Sequence, residues 1–278
     1  MNRRVIFHIE NRGSDYLFHW YTYMLAGLRY LNTNISQRGP GGGGSIEQNK
    51  EFFVEQVCKP FNICFSNIKN FLDYQHESLS LISEDYNVIP YNEITPDDVI
   101  INNYGEFILN SEYHIAKEGY LFLRNLFFKK YINDKKYLNK KYYISRNRSH
   151  MLDGNSGIKR RQVVNDEDVI NVLKSYNFEI INLEDYNTIE KIKIFNQSNI
   201  IISPNSAALT FSIFSSYNTN IIELNVKNPH QIDRQYMDQC SALSIPYYKC
   251  FTEKVDNMDN MFVNINELIH LLKDKKIL

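Results

Sequence analysis

Short apolar runs of four or five residues recur along the chain, each followed by a longer stretch whose apolar positions return every three or four residues. The first pattern suits a strand buried on both faces, the second an amphipathic helix. In the N-terminal half, Val5 to Ile9, Phe61 to Phe65 and Asp98 to Asn102 read as strands. Asp15 to Leu31, Glu47 to Val57 and Tyr113 to Tyr131 read as helices, the first of them entered through a turn at Asn11 to Ser14. Ser14 or Asp15 supplies a side-chain oxygen for the free amides at that helix start. Ser66 to Pro96 carries no decisive period, and the polar run Asn133 to Lys141 reads as a connector.

The C-terminal half has a more regular rhythm. Strands are expected at Tyr142 to Ser145, Phe178 to Asn182, Asn199 to Ile202, Asn220 to Leu224 and Pro246 to Cys250. Between them lie expected helices at Asp166 to Tyr176, Thr188 to Asn196, Ser206 to Phe214 and Ile232 to Leu243, with Glu267 to Lys273 closing the chain. Strands alternating with helices pair in parallel, because a parallel connection needs a crossover and the crossover helix covers the sheet. The predicted class is therefore α/β, as two Rossmann-like domains, residues 1–135 and 136–278, facing across a cleft. Ligands in such folds sit at the carboxyl ends of the strands.

One segment breaks the pattern. Five of the eleven glycines fall between positions 39 and 44, ahead of Ser45. Gly39 to Ser45 reads as a flexible connector of engineered type standing in for a native loop. It is not a phosphate cradle, since no lysine or helix-opening Ser or Thr follows at the required spacing.

Composition narrows the function. A net charge of −1 over 278 residues argues against a general nucleic-acid binder, which needs a basic excess to neutralise phosphates. Cys58, Cys64, Cys240 and Cys250 form no CxxC pair and have no His at ligand spacing, so reduced structural thiols are expected. Sequons at Asn34, Asn147 and Asn196 accompany no secretory signal. The most apolar segment, Tyr16 to Leu31, contains His19 and Arg29 and is too short to span a bilayer. These features set the expectation of a soluble, intracellular (cytoplasmic) protein.

Two constellations carry candidate chemistry. The first is Ser145-Arg146 just past a strand end, followed across a Gly-containing loop by Arg160 and Arg161. Guanidinium groups stay charged and can bond two oxygens at once, which suits a diphosphate; a solvated basic loop is the alternative. Asn165 then opens a helix whose first turn holds Asp166, Glu167 and Asp168. Acidic groups there complement the helix dipole, whereas a DxD metal site would need Asp166 and Asp168 to converge. The second constellation is the strand-turn-helix Ser203-Pro204-Asn205-Ser206-Ala207-Ala208-Leu209. Its small residues admit a ligand to the backbone and its helix start offers free amides to phosphate oxygens; ordinary packing explains the small residues too.

Taken in order, these motifs resemble glycosyltransferase family 61. The family pattern runs strand-Ser-Arg, Arg-x-x-x-Asn-Glu, a strand ending in His-Gly-Ala-x-Leu, and a strand ending in Glu-Leu. It is matched here by Ser145-Arg146, Arg161 to Asn165-Asp166, Asn205 to Leu209, and Glu223-Leu224. Gln235-Tyr236-Met237 to Ile245-Pro246-Tyr247-Tyr248 is similar to the family's closing helix and strand, so that the resemblance covers residues 142 to 250. Three positions depart from it: Asn205 and Ser206 stand for His and Gly, and Asp166 for Glu. Tyr16 to Trp20 weakly resembles an aromatic-His-aromatic helix near the start of family members.

The resemblance implies a GT-B arrangement and an inverting transfer from a nucleotide-sugar, usually a UDP-sugar, to a glycan or glycoprotein acceptor. It implies no cofactor beyond that co-substrate and no obligatory metal. Arg146, Arg160, Arg161, Asn165, Asn205, Ser206, Ala207, Ala208, Leu209 and Glu223 are the expected donor-binding residues. His19 and Asp15 are the expected catalytic pair that deprotonates the acceptor. Two alternatives stand beside it: a catalytically silent binding module, suggested by Asn205 and Ser206, and a metal-dependent transferase built on Asp166 and Asp168.

Overall fold

A computed structural model describes residues 5–9, 61–65, 73–82, 86–89, 91–97, 99–102, 113–132, 134–147, 160–226 and 234–278. The chain divides into two compact units, Met1–Ile132 and Asn133–Leu278.

In the first unit, four short strands form a parallel sheet: β1 (Val5–Ile9), β2 (Phe61–Phe65), β3 (Tyr86–Ile89) and β4 (Val99–Asn102). Their spatial order is β3-β2-β1-β4, with β1 paired to β2 on one side and β4 on the other. Among the described residues, the α-helices Asp73–Ile82 and Tyr113–Tyr131 accompany it. The Tyr131 hydroxyl donates to the Leu81 carbonyl at 3.3 Å and ties the two helix ends together. Part of the Ser66 to Pro96 segment, where the sequence shows no period, is thus a helix followed by a strand. The expected turn and helix after β1, the helix at Glu47 to Val57 and the Gly39 to Ser45 connector lie outside the described residues.

The second unit is built on a six-stranded sheet in the order β10-β9-β8-β7-β5-β6. Its strands are β5 (Lys141–Ile144), β6 (Glu179–Ile181), β7 (Ile200–Pro204), β8 (Asn220–Val226), β9 (Tyr247–Lys254) and β10 (Met261–Phe262). All pairings are parallel except β10 on β9. Both side-chain parities along the central strands are buried: Ile200, Ile202, Ile222 and Leu224 on one face, Ile201 and Ile221 on the other. Such a sheet must be covered on both sides. The helices Asp166–Ser175 and Ile265–Asp274 cover the first face, contributing Val169, Leu173, Leu268 and Leu272 to a core shared with Tyr143. Burying each such aliphatic side chain contributes about 1.5–3 kcal/mol. Between β6 and β7 the Thr188–Gln197 helix opens with a capping box, Asn187 and Glu190 bonding each other's backbone amides.

The helix expected at Ser206 to Phe214 is present as a 3-10 helix, Ala207–Phe214; the Gln239 amide nitrogen donates to the carbonyls of Leu209 and Thr210 at 3.3 and 3.1 Å. Two expectations are corrected. The run read as a polar connector is packed into the second unit. Tyr137 is buried there, its amide on Gln197 and its hydroxyl on Glu190 at 3.0 Å. Finally β9 runs four residues beyond Cys250 and returns through a hairpin into β10, which no periodicity announced.

Candidate diphosphate site at the strand-order switch

Renumbered within the second unit, its five parallel strands follow the order 2-1-3-4-5. The direction of winding therefore reverses between β5 and β7. Connections leaving the carboxyl ends of two such strands go to opposite faces, and the gap between them is where doubly wound sheets hold ligands. Ser145-Arg146 follows β5 and Asn205-Ser206 follows β7. Both sequence constellations thus flank the same switch point.

The side chains meet on Asn205. Arg146 donates from Nη1 to the Asn205 backbone carbonyl at 3.1 Å, and Arg161 donates from Nη1 to its side-chain Oδ1 at 2.6 Å. The Asn205 amide nitrogen donates in turn to Glu223 Oε1. Asn205 and Glu223 are buried, while both arginines are only partly so. A guanidinium carries five N–H donors in a planar fork, a donor set that suits the oxygens of an anion.

Arg161 is brought there by a clamp. Its φ is +55°, in the left-handed region, at a cost of about 1–2 kcal/mol for a residue with a Cβ. The turn between β9 and β10 holds it. Arg161 N–H donates to the Met258 carbonyl at 3.0 Å, Gln162 N–H to Asn260 Oδ1 at 2.8 Å, and Met261 N–H to the Gln162 carbonyl at 2.8 Å. From the other side, the Gln162 amide donates to the Arg146 carbonyl at 3.3 Å. Asn147 binds the Val163 backbone through both ends of its amide.

Other expected site residues fall differently. Arg160 turns to Asp259 at 3.7 Å and is half exposed. Asn165 precedes its helix without a side-chain cap and grips the Val263 backbone, donating to its carbonyl at 2.9 Å and accepting its N–H at 3.0 Å. Asp166 is buried. It accepts from the Tyr143 hydroxyl at 2.6 Å and from Ser145 Oγ at 2.8 Å. Burial, then the Asp166 charge, pushes the Tyr143 hydroxyl well above the usual tyrosine range and keeps it a donor. Asp168 is exposed, and among the described residues no three His, Cys, Asp or Glu are gathered for a metal.

Ser206 is buried with Oγ 3.5 Å from that of Ser203. Its φ of −160° and ψ of 163° are extended values open to any residue, so a serine here needs no glycine's freedom. Ala207 is exposed and Ala208 half-buried; their amides, at the first helical positions, lack intrahelical acceptors by geometry. Leu209 is wholly buried and its N–H already donates to the Ser206 carbonyl. Asp15 and His19 lie outside the described residues.

Sequence reasoning missed the groups around Glu223. Tyr247 donates its hydroxyl to Oε2, Asn225 donates to Oε1 at 3.2 Å, and Lys249 Nζ lies 3.4 Å from Oε2. The signal was present in part: a glutamate inside the apolar run Ile221-Ile222-Glu223-Leu224 must find partners if buried. Naming them required the β8–β9 register, in which Glu223 stands opposite Lys249.

The family model "Glycosyltransferase 61" matches residues 17–222, well over half of the chain. No curated protein matches it. Among the described residues no helix is long and apolar enough to cross a membrane.

Proposed function

The chain belongs to glycosyltransferase family 61, and from that premise we propose that its second unit holds the diphosphate of a UDP-sugar at the β5–β7 switch point. The observation that carries this reading is the meeting of Arg146 and Arg161 on Asn205. In the transfer, the acceptor oxygen attacks the anomeric carbon from the face opposite the leaving group, which inverts the configuration. The bond from that carbon to the phosphate oxygen breaks, and UDP leaves with the electron pair. Charge grows on the diphosphate as this happens, and fixed cations aimed at it lower the barrier. Arg146 and Arg161 fill that role, assisted by the free amides of Ala207 and Ala208 at the 3-10 helix start.

With two guanidiniums available, the charge needs no metal. Asp166 supports this reading, since its carboxylate is occupied by Tyr143 and Ser145. The acceptor is a glycan or glycoprotein hydroxyl. His19, with Asp15 to orient it or to act itself, takes the proton, because imidazole titrates near neutral pH. The GT-B arrangement implied by the family belongs to the same proposal: two parallel α/β units are what such enzymes are assembled from.

Calorimetry with UDP tests the donor site. Arg146→Ala and Arg161→Ala should each weaken binding by about 1.5–3 kcal/mol, the scale of a charged hydrogen bond. Unchanged affinity in both would remove the assignment. In the same preparation, donor hydrolysis should survive excess EDTA; loss restored by Mn²⁺ would favour the metal-dependent alternative.

A further inference from the structure

An asparagine amide has two unlike ends, and what fixes which end faces which neighbour is normally a weak preference. At Asn205 it is a buried carboxylate. Glu223 is 1% exposed, and all four of its described partners bring hydrogen-bond donors. Asn205 and Asn225 approach Oε1, while Tyr247 and Lys249 approach Oε2. A carboxylate only accepts, so it compels the NH₂ end of Asn205 to face it. The carbonyl end must then face the other way, where Arg161 Nη1 takes it at 2.6 Å. With the amide reversed, Oδ1 would oppose the carboxylate and NH₂ would oppose the guanidinium, two mismatches in a buried setting.

We propose that Glu223 is a positioning residue for the donor site: through the Asn205 amide it fixes the Arg161 guanidinium, and it makes no contact with the donor itself. This rests on the reading of the β5–β7 switch point as a diphosphate site. Of the two roles expected of Glu223 at its strand end, holding the donor's ribose hydroxyls or orienting the turn, this is the second, because the side chain is enclosed and both oxygens are engaged. Arg161 needs such a fixed partner. It sits on a left-handed backbone, and its long side chain would otherwise lose conformational entropy on binding an anion. Arg146 is held differently, by the Asn205 backbone carbonyl, which does not depend on the amide's orientation.

That difference gives the test, a double-mutant cycle read by UDP calorimetry, with far-UV circular dichroism to establish folding. Glu223→Gln keeps the shape but gives the amide of Asn205 no compulsory direction. UDP affinity should fall about tenfold or more, as for loss of one charged hydrogen bond. In an Arg161→Ala background the same change should cost little further, since the group it positions is gone. In an Arg146→Ala background its effect should persist in full. Should Glu223→Gln fail to fold, Asn205→Ala cuts the link from the other side while leaving the carboxylate its three remaining partners, and the same cycle applies. Coupling to Arg161 alone supports the proposal. A folded Glu223→Gln or Asn205→Ala variant that binds UDP normally, or whose effect adds fully to that of Arg161→Ala, overturns it. If wild-type protein does not bind UDP, or binds it without need of either arginine, the diphosphate reading falls and this inference falls with it.

Discussion

Replacing Asp166 by Ala separates a structural carboxylate from a metal ligand. Its two oxygens accept from Tyr143 at 2.6 Å and Ser145 at 2.8 Å, and Tyr143 is wholly buried. Hydrogen bonds to a charged group contribute about 1.5–3 kcal/mol each, and a buried hydroxyl left unpaired adds its own desolvation cost. Loss of both bonds should lower the unfolding free energy by about 3–6 kcal/mol or more, a large part of the 5–15 kcal/mol typical of a domain. Tyr143→Phe, which removes one bond and its donor together, should cost about 1–2 kcal/mol. Asp168→Ala, at an exposed position, should stay within about 0.5 kcal/mol. Urea unfolding followed by circular dichroism, with EDTA and with Mn²⁺, measures all three. The reasoning fails if Asp166→Ala unfolds like wild type. It fails equally if Mn²⁺ stabilises wild type and this response vanishes in both aspartate variants.

Two further outcomes follow from the same contacts. Asn205→His should retain UDP binding, because one imidazole nitrogen donates to Glu223 while the other accepts from Arg161; a loss as large as that of Asn205→Ala would show that the pivot needs an amide. Burial pushes the Cys240 thiol up to about 12 and the Cys250 thiol up to about 11. Both values exceed the unfolded thiol range near about 8.5, so the neutral thiols favour the fold below that pH, and the advantage is lost as pH climbs through the folded values. Melting temperature should therefore decline from about pH 9 upward, and Ellman's reagent should leave both thiols untouched at neutral pH; a flat profile or ready labelling contradicts this.

How the sequence carried this information differs by element. β1, β2 and the Tyr113–Tyr131 helix are legible to the residue: Arg4 and Glu10 flank the apolar run of β1, Pro60 and Ser66 that of β2, and the helix keeps one apolar period from Tyr113 to Tyr131. The ends of β5 and β7 are legible to within two residues, so Arg146 and Asn205 can be placed at strand exits from sequence alone. Their adjacency cannot. It follows from β7 pairing with β5 rather than beyond β6, and strand order leaves no mark in local periodicity. The β9–β10 hairpin escaped for another reason: Met261–Phe262 is only two residues long, too short for any period. Without that hairpin the clamp on Arg161 was invisible, and spacing alone did not separate Arg161, which the family pattern singles out, from Arg160. Asn165 and Asp166 sit where capping residues belong, and only the tertiary partners Val263, Tyr143 and Ser145 reveal what they bind.

The measurement that bears most directly on the account is a crystal structure with bound UDP. The diphosphate oxygens should lie beyond the carboxyl ends of β5 and β7, within hydrogen-bond reach, roughly 2.7–3.2 Å, of the Arg146 and Arg161 guanidiniums, with Glu223 still enclosed behind Asn205. UDP bound at any other place, with neither arginine touching phosphate, would contradict it.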